Sequence, residues 1–442
     1  MLLRQLTIAA LAASSYAQSS SSIVLTGTNS VISGADYATG SQLSYESYAS
    51  TITLNTTSGA GASSTARPQN QTITTNGTAL TTTSATQTLL SGSARNTTIA
   101  TGRTATSSSA RPTNTQPCNG YPEFCNRKYS NITQVGAHNS PFAVRGNIAA
   151  NQELDVTTQL NDGVRMLQFQ VHKPNDTAPL LLCHTSCDLL NAGTLVDYLT
   201  TVREWLDANP YDVVTVLMGN YDVLTPQNFT GPVYESGLDR YAYTPPTVPM
   251  PLNDWPTLGE MILTQKRAVI MLDYEADQVA IPWLLDEFAN FWETPFSPTD
   301  RDFPCNVDRP PNQDREISSD RLYIANHNLN VDVQIAGLSL LIPASTLLNE
   351  TNAVQGYGSA GAMVNNCTAD WVRPPTVILV DFYNVGSFNG SVFQVAADAN
   401  GVSYNRDSCC GTMQRTVNAA TSKKVSSVIV AAAALAVAYV MV

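Results

Sequence analysis

The sequence predicts an α/β fold, an irregular β/α barrel of the TIM type preceded by a disordered Ser/Thr-rich stalk. Three observations carry that expectation. Large apolar residues are sparse as far as Gln116 and abundant from Cys118 onward. Beyond that boundary, near-continuous apolar runs alternate with stretches of helical period, which is the pattern of a parallel sheet covered on both faces. Seven or eight such units in roughly 300 residues suit a barrel, with a doubly wound open sheet as the competing architecture.

The segments can be justified in chain order. Residues 1–17, MLLRQLTIAALAASSYA, combine Arg4, an apolar run and a small-residue end at Ser15-Tyr16-Ala17, the pattern of a secretory signal peptide. Residues 18–116 are dominated by Ser, Thr, Ala and Gly and cannot bury enough apolar surface to offset their ordering entropy. They are expected to form an extended, O-glycosylated stalk, with some local structure around SQLSYESYAS. The globular domain is expected over residues 117–415. Its strand candidates are ITQVGA (132–137), VRMLQFQVH (164–172), LLLCH (180–184), DVVTVLMGN (212–220), RAVIMLDY (267–274), RLYIAN (321–326) and TVILVDFY (376–383). Helical patterns lie between several of them: QELDVTTQLNDG, TLVDYLTTVREWLDANP and IPWLLDEFANFW. In the second, Leu195, Tyr198, Leu199, Val202, Trp205 and Leu206 recur near the 3.6 period, and Asn209-Pro210 supplies a stop. Residues 416–442 place small residues at Asn418, Ala419 and Ala420, then a polar spacer, then fifteen apolar residues from Val428. That order fits a GPI-attachment signal better than a membrane span, which remains the alternative anchor.

Composition narrows the partners. A net charge of −12 argues against nucleic acid or an anionic membrane face as the main partner, while leaving room for a local basic pocket. All eight cysteines lie between Cys118 and Cys410; in an exported chain an even count points to disulfides, whose pairing the sequence leaves open. Ten N-x-S/T sequons point to a glycosylated exterior. A secreted, extracellular protein at the cell surface is expected, GPI-anchored to the plasma membrane or cell wall.

In a parallel barrel, residues at the C-terminal strand ends converge on one mouth. His138, His184 and Asp381 sit at or next to three such ends. Two imidazoles flanking a phosphodiester can divide the proton transfers, one accepting from the attacking hydroxyl and one delivering to the leaving oxygen. A buried carboxylate fixes the tautomer of one imidazole, a role that suits Asp381. CHTSC around His184 also has the look of a metal knuckle, but in an exported chain its cysteines read as disulfide partners.

In order and spacing, GAHNS around Ala137, GVRMLQFQVH (163–172), LLCHTSCDLL (181–190) and VILVDFYNVG (377–386) resemble the X-type barrel of phosphatidylinositol-specific phospholipase C. The resemblance is especially to the fungal PLC-like phosphodiesterase branch, and it covers roughly residues 117–415. It implies that His138 is the general base and His184 the general acid, that Asp381 pairs with a catalytic histidine, and that Asn139 contacts substrate. Where calcium-dependent members carry carboxylates this chain has Gln168, Gln170 and Gly219, a poor site for a hard cation; the implied chemistry uses no metal and no cofactor. Where metal-independent bacterial relatives carry a phosphate-facing arginine this chain has Gln170. Arg165 alternates onto the other strand face and reads as structural, although it stays among the candidate substrate contacts. His172, Lys173 and Asn220 are candidate replacements for the arginine, and His327 is a candidate substrate contact, as are Gln168 and Gln170.

The resulting expectation is a surface-anchored phosphoric diester hydrolase. It would act on a phosphoinositide, a GPI-type lipid or a glycerophosphodiester by internal attack of a neighbouring hydroxyl. The alternative is a non-catalytic surface or wall protein in which a degenerate barrel binds lipid or glycan. The glutamine at position 170 and the absent acidic cluster favour the alternative, whereas the presence of both histidines and Asp381 opposes it.

Overall fold

The computed structural model describes residues 45, 48, 50–54, 116–335 and 338–411. The expected signal peptide and C-terminal anchor, and most of the expected stalk, lie outside the described residues. The elements run β1 (Ile52–Thr53), β2 (Gln134–Ala137), α1 (Val156–Asp162), β3 (Met166–His172), β4 (Leu181–Cys183), β5 (Asn191–Thr194), α2 (Leu195–Ala208), β6 (Val214–Asn220), α3 (Gln227–Ser236) and β7 (Thr247–Val248). They continue with α4 (Leu258–Leu263), β8 (Ala268–Leu272), β9 (Leu284–Asp286), α5 (Glu287–Asn290), β10 (Phe291–Glu293), α6 (Arg315–Ser319) and β11 (Leu322–Asn326). Last come β12 (Asn330–Ile335), β13 (Leu338–Pro343), α7 (Leu348–Thr351), α8 (Ala360–Trp371), β14 (Val377–Val380) and α9 (Ser391–Asn400).

Eight of these strands form one curled sheet in the order β10-β11-β14-β2-β3-β6-β8-β9, and every neighbouring pair is parallel. The sheet is an irregular β/α barrel whose seam lies between β9 and β10, strands joined only by the single turn α5. Strand alternation sorts its residues into two cores. Met166, Leu217, Val269, Met271, Leu285, Phe291, Ile324 and Leu379 pack inside with Tyr129 and Trp255. Leu167, Phe169, Val216, Met218, Ile270, Leu272, Ile378 and Val380 pack outward against Leu199, Val202 and Leu206 of α2 and Val392 and Val395 of α9. Burial on both faces is why these strands read as unbroken apolar runs. Helix α2 stops at Asn209 as its sequence predicts.

Two expectations need correction. IPWLLDEFANFW forms no long helix; it folds as β9, α5 and β10. Leu284 and Leu285 enter opposite cores, so the segment is apolar all round, and periodicity cannot separate strand from helix in such a run. LLLCH is no barrel stave either. Strand β4 runs antiparallel to the far end of β3, Leu181 opposite His172, and then pairs with β5.

Four disulfides join Cys118 to Cys125, Cys183 to Cys187, Cys305 to Cys367 and Cys409 to Cys410. Part of the segment read as stalk is structured. Strand β1 pairs antiparallel with β7, Ile52 opposite Val248, and Leu54 is buried beside Val248 and Ala289. Tyr48 donates its hydroxyl to Asp286 at 2.9 Å, and the ring of Tyr45 meets Phe288 and Tyr274 edge-on. Among the described residues, no helix is long and apolar enough to cross a membrane.

Candidate active site

The C-terminal end of β2 sets the site. Ala137 lies opposite Val380 of β14, so the next residue of each strand, His138 and Asp381, faces its neighbour. Nδ1 of His138 lies 2.7 Å from Oδ1 of Asp381, with both side chains buried. An Nδ1–H donated to the carboxylate leaves Nε2 as the acceptor. The side-chain amides of Asn139 and Asn328 lie 3.3 and 3.5 Å from that nitrogen. A loop fastens the pair: Asn151 donates its amide to Asp381 at 2.9 Å, and Gln152 donates to the carbonyls of His138 and Val380. The chain leaves β2 through Asn139 at φ +49°, a left-handed conformation that asparagine tolerates better than most residues.

The two glutamines on the inner face of β3 each hold one histidine-bearing loop. Oε1 of Gln168 accepts the Asn139 backbone N–H at 2.9 Å. Oε1 of Gln170 accepts the Thr185 N–H at 3.1 Å, inside the ring closed by Cys183 and Cys187. His184 therefore sits on a covalently closed turn at the end of β4. It is buried, and its pKa is lowered to about 3. Burial is the main cause and the nearby His138 imidazole the next, with His172 adding a smaller effect and a hydrogen bond to the Ala149 backbone opposing them. The imidazoles of His138 and His172 thus lie within electrostatic range of His184.

His172, at the end of β3, lies on the same inner face two residues past Gln170. Its Nδ1 is 3.2 Å from Oδ1 of Asp222, and Asp222 also accepts the Lys173 N–H. Burial works to raise the Asp222 carboxyl, yet its pKa is lowered, chiefly by the hydrogen bond to His172. Among the described residues, Oδ2 of Asp381, Oδ1 of Asn139, Nδ1 of His184 and Nε2 of His172 are buried without a hydrogen-bond partner.

Three expected contacts lie elsewhere. Arg165 is at the opposite, N-terminal end of the barrel, paired with Asp212 at 2.8 Å and stacked on Trp205. His327 stacks on Phe303 and bonds the Thr351 carbonyl, and burial lowers its pKa to about 4. Asn220 ties its own loop, donating to the carbonyls of Leu224 and Tyr274.

Sequence reasoning missed Asn151, Asp222 and a second polar cluster at the mouth. In that cluster the buried Arg309 meets Glu293 at 3.0 Å and Asp273 at 3.7 Å. It also donates to the Tyr274 hydroxyl and packs under Phe288 and Phe296. Burial pushes Asp273 up to about 7 despite Arg309, and it also raises Glu287 well above the ordinary carboxylate range, with Glu293 reinforcing it. The one available signal was position: Asp273 follows β8 directly and Glu293 ends β10.

Fold and site together define a β/α-barrel protein with a carboxylate-held imidazole, and two more imidazoles beside it, at the C-terminal mouth. The chain matches the PI-PLC X 1 family model over residues 124–395, and it belongs to the PI-PLC X family. It is 60% identical over 301 residues to a protein of Arthroderma benhamiae known as an uncharacterized secreted protein, covering 68% of this chain and 67% of the other. A PI-PLC X domain-containing protein 1 of the same fungus is 44% identical, over 61% of this chain and 86% of that one. Among solved structures it is similar to a mutant phosphatidylinositol-specific phospholipase C of Staphylococcus aureus (15% identity, 62% of this chain, 94% of that one, TM-score 0.42). It is also similar to the Listeria monocytogenes enzyme of that name (12% identity, 65% and 97%, TM-score 0.41).

Proposed function

We propose that the protein is a secreted phosphoric diester hydrolase in which His138 is the general base and His184 the general acid. The observation that carries this reading is the buried His138–Asp381 contact of 2.7 Å with His184 within electrostatic range. Asp381 holds Nδ1–H, so Nε2 of His138 takes the proton of a hydroxyl neighbouring the phosphate. That oxygen forms a bond to phosphorus, the bond to the leaving oxygen breaks, and His184 delivers a proton to it. On phosphatidylinositol, attack by the inositol 2-hydroxyl gives a cyclic phosphate and diacylglycerol; a GPI-type lipid or a glycerophosphodiester suits the same chemistry. His184 is neutral near pH 7 in the free protein. A bound phosphodiester anion favours its charged form, so substrate arms the acid. The expected C-terminal lipid anchor, to membrane or wall, would hold the enzyme near such lipids.

A second reading, a non-catalytic barrel that binds lipid or glycan at the cell surface, draws support from Gln170, whose oxygen is committed to Thr185. Phosphatidylinositol hydrolysis in EDTA by wild type, His138→Ala and His184→Ala separates the two readings. Chelator-resistant turnover lost in both variants is the expected result. No wild-type turnover of phosphatidylinositol or of a panel of soluble diesters would leave the binding reading.

A further inference from the structure

A phosphodiester brings a negative charge to the mouth, and more accumulates on the phosphoryl oxygens as the new bond forms. Fixed donors or cations aimed at that charge are the largest common source of rate enhancement. The obvious cations are engaged elsewhere: Arg165 lies at the other end of the barrel with Asp212, and Arg309 is held between Glu293 and Asp273. Gln168 and Gln170 present oxygens to backbone N–H groups of the histidine loops.

His172 differs from all of these. Its place on the inner face of β3 carries it toward the mouth, Nδ1 is turned to Asp222, and Nε2 is buried with no partner. Its ring is 4.4 Å from that of Tyr221, which limits its rotation. We propose that His172, in its charged form, is the phosphate-facing cation of this site, with Nε2–H donated to a nonbridging phosphoryl oxygen and Asp222 as the positioning carboxylate. The proposal rests on the hydrolase reading above and adds a third histidine to it. Four groups bear on the charge of His172. Asp222 favours it, while His184 and Lys173 oppose it. The Tyr221 ring, through its π face, adds a weaker attraction. Lys173 is itself turned toward Asn228, 3.2 Å away, and a bound phosphate anion would add a second negative partner to Asp222. Asp222 also bonds the Lys173 N–H at 2.6 Å, which aims the carboxylate from a second direction.

The test uses inorganic phosphate and the folded wild-type protein, with the imidazole resonances followed by NMR, alongside the diester assay. Phosphate is expected to convert His172 to its doubly protonated form in wild type and in His138→Ala. Affinity should fall by at least tenfold in His172→Gln and Asp222→Asn. In the assay His172→Gln should lose about 100-fold in kcat, the scale of one oxyanion donor, and His172→Lys should recover part of it. Phosphate binding of wild-type strength in His172→Gln, or a wild-type imidazole protonation pattern in Asp222→Asn, would overturn the proposal. Because Asp222 is partly exposed, that variant serves if His172→Gln does not fold. Phosphate capture through His172 with no turnover of any diester would sink the hydrolase reading while leaving the anion site in place; turnover with His172 silent would do the reverse.

Discussion

His138 and Asp381 are 243 residues apart in sequence and meet because β2 and β14 are parallel neighbours in matched register. That pair was legible because each residue directly follows an apolar strand, where a barrel places its mouth. Asn151 and Asp222 were not legible: both sit in polar turns with no periodicity, and only the folded loops bring them to their imidazoles. Asp381→Asn should lower kcat by roughly 10³- to 10⁴-fold with little change in KM, because an amide stabilises the wrong tautomer; steady-state kinetics on whichever diester is cleaved would measure it. His184 also predicts a pH dependence of stability. Its folded pKa is about 3 against an ordinary value near 6.5. The stability it confers is therefore complete above 6.5 and is lost as pH falls from there toward 3, by up to about 1.4 kcal/mol per pH unit. Denaturant midpoints of wild type and His184→Gln should converge across that interval; parallel curves would contradict the assignment.

At the scale of elements, the sequence revealed the staves buried on both faces and the amphipathic α2. It misread the seam, where β9, α5 and β10 are buried on every side, and it misread β4, whose antiparallel pairing depends on how far β3 extends past β2. That extension is functional. It gives Gln168 and Gln170 two successive inner positions, one reaching the loop of each histidine. The glutamines, expected as substrate contacts or vestigial metal positions, are occupied as loop clamps. Gln170→Ala should cost about 1 kcal/mol for the lost hydrogen bond, and activity should fall further than stability as the His184 turn loosens. Elsewhere, Gly361 in α8 has no room for a methyl group: a Cβ there would lie 1.7 Å from the Val354 carbonyl oxygen. Gly361→Ala should destabilise the fold by about 3 kcal/mol, readable as a lowered melting temperature.

For the whole molecule, the boundary drawn at Gln116 on composition is too simple. Tyr45, Tyr48, Ile52, Thr53 and Leu54 are fastened to the barrel, and Tyr45 reaches the Tyr274 and Phe288 rings beside the Arg309 cluster. Composition pointed to some local structure around Tyr45 and Tyr48 but concealed its docking on the barrel, because a few apolar and aromatic residues suffice for an edge pairing. Leu54→Ala should cost about 2 to 3 kcal/mol, and a chain beginning at Gln116 should melt below one that keeps Tyr45 to Leu54. Equal melting temperatures would show that this segment adds nothing to the barrel.

The docking of β1 against β7 makes the stretch up to Leu54 a working part of the barrel edge, with Ile52 opposite Val248 and Leu54 buried beside Val248 and Ala289. A cut anywhere between Leu54 and Gln116 would break the backbone without by itself parting β1 from β7.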